Sequence, residues 1–187
     1  MNTIGKKVTL YSVASALAAA ALAVAGPAQA ASQGSLGSTS TGSITITASI
    51  GAKAQISGLS DLTFSSLDAV NNSTLSQNAC VWSNTATKNY TIKATGSGAS
   101  NAFTVKDASN NVIPYTVAWA ATSGASSGTA LTSGSASSSI ATSATSPTCG
   151  GTGSTSTLFV SLAAADQQAM IAGNSYTGTL TLLVTPQ

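Results

Sequence analysis

The chain has 187 residues, 43% of them apolar and only 5% charged, and the excess behind its formal net charge of +2 sits in Lys6 and Lys7. Residues 31–187 hold four Lys, four Asp and no His, Glu or Arg, so most groups used for acid–base catalysis and divalent metal binding are missing. Neutral charge over that stretch also leaves no electrostatic footprint for nucleic acid or anionic lipid.

Met1–Ala30 reads as a secretory signal peptide. Lys6 and Lys7 form its positive start, Val8 to Val24 its apolar stretch, and Ala28-Gln29-Ala30 its small-residue cleavage site. A membrane anchor is the competing reading, but the apolar stretch is interrupted by Thr9, Ser12 and Ser15. A type IV prepilin leader is a third, and it normally opens an apolar run containing Glu, which this chain lacks. No membrane span is expected after cleavage.

Ala31–Thr41 is a Gly/Ser/Thr arm that buries too little apolar surface to order itself. From Ser43 the pattern changes. Ser43–Ile50 alternates polar and apolar residues, placing Ile44, Ile46, Ala48 and Ile50 on one face of a strand. Ala54–Ile56, Leu62–Phe64, Asn89–Ala94, Phe103–Val105, Ile113–Trp119, Thr157–Leu162 and Tyr176–Val184 are the further expected strands. Asp107–Asn111 (DASNN) reads as a hairpin turn. Ala121–Pro147 is Ser/Thr/Ala/Gly-rich and reads as a long loop or a weakly patterned hairpin, with Leu131 and Ile140 as its apolar breaks. Ala163–Ala172, ahead of Gly173, predicts one or two helical turns. Many short strands with polar turns predict an all-β antiparallel sandwich.

Cys80 and Cys149 are the two cysteines. An even count in an exported chain argues for a disulfide, worth about 4 kcal/mol for a loop of this length. Two free thiols or a redox pair are the alternative, against which stands the absence of CxxC spacing. No nucleophile–base constellation is found: Ser has no His partner and no Ser-x-x-Lys occurs in the exported part. Asp61 and Asp68 read as solvated turn residues. Gly150–Gly153 lacks the Lys-Ser/Thr ending of a phosphate loop. Trp82, Trp119, Phe103 and Phe159 are expected in the core. Neither an enzyme nor a cofactor is expected.

The alternating stretch Gly42–Ile50, the run Cys80-Val81-Trp82-Ser83-Asn84 leading to Tyr90-Thr91-Ile92, and the ending Gly173-Asn174-Ser175-Tyr176-Thr177-Gly178-Thr179-Leu180 together resemble a chaperone–usher pilin, most like the archaic, spore-coat-U-like branch. Where those archaic subunits commonly carry a Cys after the first strand, this chain has Gly51-Ala52-Lys53-Ala54. The resemblance implies an immunoglobulin-like sandwich, over residues 51–187, that lacks one strand and is completed by a neighbour. It implies residues 31–50 as arm and donor strand, with Ile44, Ile46, Ala48 and Ile50 as the inserted side chains, and Leu180, Leu182 and Val184 as groove lining. Its implied partners are neighbouring pilin subunits, a periplasmic chaperone and an outer-membrane usher, and its implied place is a cell-surface fimbrium serving adhesion or biofilm formation. The competing reading, which alternation alone does not separate from the donor, is that residues 43–50 form the subunit's own first strand and the arm before it is disordered. A self-contained secreted sandwich that binds carbohydrate or a host surface is the rival function.

Overall fold

The structure, a computed structural model, describes residues 31–150 and 153–187; the expected signal peptide Met1–Ala30 lies outside them. The chain divides into two units, residues 1–49 and 50–187. In the first, Ser32 and Ser43 exchange backbone hydrogen bonds of 2.8 and 2.9 Å. Beyond that bridge no strand forms over Ser43–Ile50, although its alternation is the sharpest in the sequence. A strand needs a partner for its backbone N–H and C=O groups, and alternation alone does not supply one.

The second unit is an all-β antiparallel sandwich. Its strands are β1 (Ala54–Ser57), β2 (Ser73–Ser83), β3 (Asn89–Gly96), β4 (Thr104–Lys106), β5 (Val112–Pro114), β6 (Thr116–Ala120), β7 (Thr129–Ala130), β8 (Ile140–Ala141), β9 (Ser156–Leu162) and β10 (Leu180–Pro186). One sheet has the order β1-β2-β9-β6-β7 and the other β10-β3-β8, while β4 and β5 form a separate hairpin. Asp107–Asn111 turns that hairpin, as its sequence predicts.

Between the sheets, Ala79 and Val81 of β2, Tyr90, Ile92 and Ala94 of β3, and buried residues of β6 and β9 make one core. β3 shows the cleanest cause: its apolar residues alternate, and burial alternates with them. Trp119 lies in this core; Phe159 is buried but out of phase with the inward Leu158, Val160 and Leu162 of β9 and outside that cluster, and Phe103 is half-buried and stacks on Tyr115 at 5.7 Å. Trp82 packs beside the Cys80–Cys149 disulfide, whose Cα atoms are 5.8 Å apart. The bridge ties β2 to the loop ahead of β9.

Several elements depart from expectation. β2 is the longest strand, and its polar first half (STLSQN) hides it; Gln77 takes an inward-phase position and accepts bonds from the Ser60 N–H and hydroxyl. Ile113–Trp119 is two strands. Pro114 has no N–H to extend a ladder, and β5 pairs with β4 while β6 crosses to β9. Leu62–Phe64 gains no ladder partner, though Leu62 and Phe64 still turn toward the core. Tyr176–Thr179 precedes β10 and contributes only the Thr177–Lys106 bridge. The low-complexity stretch yields β7 and β8, two residues each, with Leu131 and Ile140 packed on the core. The expected helical turns form as α1 (Ala164–Gln168), whose buried Gln167 donates to the Leu162 and Asn71 carbonyls. Among the described residues no helix is long and apolar enough to cross a membrane.

Candidate functional site: an open edge between the sheets

β10 ends one sheet and β1 ends the other. Their Cα atoms approach within 8 Å, yet they share no ladder. The sandwich is therefore unclosed along the β1/β10 flank.

The direction of each backbone group on β10 follows from its register. Gln187 N–H donates to the Asn89 carbonyl, and β10 pairs with β3 as Thr185 opposite Thr91, Leu183 opposite Lys93 and Thr181 opposite Thr95. In an antiparallel ladder every second residue exchanges both bonds with its partner. The odd-numbered residues thus bond to β3. Leu180, Leu182 and Val184 turn their N–H and C=O groups away from β3, into the open flank. The far side of β3 agrees: Ile92 and Ala94 carbonyls accept from Ser137 and Gly134, on the β8 side.

The side chains of the same three residues face the core and remain half-buried, whereas Leu183 on the opposite face is 54% exposed. Ile56 of β1 and Leu62, Phe64 and Leu67 of the following segment also pack on the core while remaining partly exposed. An unpaired backbone edge and uncovered apolar side chains together are a template for another strand.

In the other unit, Ile44 and Ile46 are 74% and 84% exposed, and Ile50, the first residue of the sandwich unit, is 75% exposed. Where the arm enters the sandwich, Asn84 continues the β1–β2 pairing by one step. Its N–H donates to the Lys53 carbonyl, its Oδ1 accepts from the Lys53 N–H at 2.6 Å, and its Nδ2 donates to the Gly51 carbonyl at 2.9 Å.

The four aspartates are occupied structurally or exposed. Asp68 accepts from the Val70 and Asn71 N–H groups and from Asn71 Nδ2, and the Asn71 bonds are the main reason its pKa falls to about 2. Asp107 is buried inside its turn, which its place in the sequence does not announce. It accepts from Asn111 Nδ2 and N–H, Ser109 N–H and Asn174 Nδ2, and the Asn111 side chain foremost holds its carboxyl below the usual range. Asp61 is exposed, and Asp166 lies in the first turn of α1. Among the described residues no group of three or more His, Cys, Asp or Glu comes together.

Two clefts lie elsewhere. One of about 620 Å³ is lined by Trp119, Leu131, Ile140 and small residues around β7. The other, about 530 Å³, is lined by Lys106, Asn110, Thr104 and the Thr177–Thr179 segment. Neither presents an exposed aromatic face of the kind that stacks on a sugar.

No protein-family model and no curated protein matches the chain. Among solved structures it is similar to a chain described under "Chaperone-tip adhesin complex is vital for synergistic activation of CFA/I fimbriae biogenesis", at 15% identity and a TM-score of 0.49, over 73% of this chain. The match spans 41% of that neighbour's length.

Proposed function

We propose that this chain is a structural subunit of a chaperone–usher fimbrium, joined head to tail when Ser43–Ile50 of one copy fills the β1/β10 flank of the next. One observation carries the reading: Leu180, Leu182 and Val184 offer unpaired backbone groups and half-covered apolar side chains at a two-residue spacing, and Ile44, Ile46, Ala48 and Ile50 repeat at that same spacing. Inserting the three isoleucines contributes about 5–9 kcal/mol, at roughly 1.5–3 kcal/mol each, and the added ladder satisfies the edge. Before assembly such an edge needs cover, which is the role of a periplasmic chaperone, with an outer-membrane usher exchanging it for the next subunit. Export through the Met1–Ala30 leader to the cell surface, and a part in adhesion or biofilm formation, complete the proposal.

The test uses the exported chain carrying Ile46→Asp, which impairs the donor and spares the acceptor. Its thermal unfolding is followed with and without a synthetic Gly42–Ile50 peptide. A clear rise in Tm with the peptide, absent when the peptide itself carries Ile46→Asp, is the expected result. A variant that melts like the wild type and ignores the peptide would overturn the proposal and favour a self-contained binding module.

A further inference from the structure

We infer that Asn84 is a positioning residue that directs the donor segment to a second copy and keeps it off its own groove. The inference rests on the strand-exchange reading. To fill its own flank, the arm would have to reverse within Gly51-Ala52-Lys53 and lie back beside β1. A three-residue connection is an ordinary hairpin length, so chain length alone does not prevent this. Self-docking would also be favoured by effective concentration, because the tethered segment is never far from its groove.

Asn84 opposes that reversal. Two side-chain bonds and one backbone bond hold Gly51 and Lys53 alongside it, just past the end of β2. With these bonds made, residues 51–53 continue the line of β1 and cannot serve as a tight turn. A Cβ at Gly51 would meet nothing within 4 Å, so steric need for a glycine does not set the path there. The amide is suited to the task because it accepts at Lys53 and donates at Gly51 simultaneously. Asp at this position keeps the first bond and loses the second; Ala loses both.

The test compares the exported wild-type chain with Asn84→Asp and Asn84→Ala, after circular dichroism shows that each is folded. Light scattering coupled to size exclusion reads the monomer fraction over a concentration series, and hydrogen exchange reads the Leu180, Leu182 and Val184 amides. Loss of one side-chain hydrogen bond is expected to raise the monomer fraction about three- to tenfold, more for Ala than for Asp. In those monomers the three amides should remain protected on dilution, as a self-docked arm requires. If both variants assemble like the wild type and expose the three amides on dilution, the role of Asn84 is refuted while strand exchange stands. A wild-type chain that stays monomeric at every concentration removes the strand-exchange reading, and this inference with it.

Discussion

Trp119 Nε1 donates a hydrogen bond of 3.0 Å to Tyr90 Oη, and the two side chains belong to opposite sheets of the sandwich. The Tyr90 hydroxyl also lies 3.2 Å from Ser156 Oγ on β9. All three residues are buried, so this short polar chain fixes how the apolar faces meet, which hydrophobic burial leaves loosely specified. Tyr90→Phe keeps the ring and strands the indole N–H. A loss of about 1–3 kcal/mol is expected in chemical denaturation.

Tyr115 should behave in the opposite sense. Its hydroxyl is buried with no hydrogen-bond partner among the described residues, and burial raises its pKa. Tyr115→Phe removes an unsatisfied group while keeping the stack on Phe103. Stability should hold or rise by about 1 kcal/mol; a clear loss would reveal a partner for that hydroxyl.

The register of β10 predicts an alternating pattern of amide exchange in the Ile46→Asp chain, whose proposed donor segment is impaired. Thr181, Leu183 and Thr185, bonded to β3, should exchange slowly; Leu180, Leu182 and Val184 should exchange much faster. Addition of the Gly42–Ile50 peptide should slow the second set selectively. Uniform protection along β10 without peptide would contradict the open edge.

Acid sensitivity should be confined to low pH. Asp68 has a folded pKa of about 2, and Asp107 is also depressed. A carboxylate with a lowered folded pKa stabilises fully above its unfolded value, near 3.8, and loses that contribution as pH falls toward its folded value. Thermal melts should therefore be flat from pH 5 to pH 8 and fall between about pH 4 and pH 2. Asp107→Asn should lower Tm at neutral pH and flatten part of the acid decline.

Gly96 closes β3 beneath the loop that follows it. A Cβ there would collide with the Ala102 carbonyl and come within 2.8 Å of the Phe103 Cα, both of them backbone with nowhere to go. Gly96→Ala should cost at least about 1–3 kcal/mol, the ordinary range for overpacking. Gly51→Ala meets nothing and should leave the sandwich's stability unchanged.

Local pattern announced those parts of the molecule whose residues state their own environment. Tyr90, Ile92 and Ala94 alternate with polar neighbours, so β3 was legible, and the same holds for the Leu180–Val184 face and for an even count of two cysteines. β2 was not, because Ser73–Asn78 is polar and Gln77 occupies an inward-phase position by bonding to Ser60. The division of Ile113–Trp119 was hidden too, since adjacent residues carry no mark of which partner strand each will meet. The open flank belongs wholly to tertiary structure. Alternation tells which side of a strand is apolar, but hydrogen bonds in the plane of the sheet decide which edge is left unpaired, and those depend on residues far apart in the chain. Asn84 beside Gly51 and Lys53 is the same case: an asparagine after a strand reads as a turn residue, and only the folded chain brings its amide against the base of the arm 31 residues away.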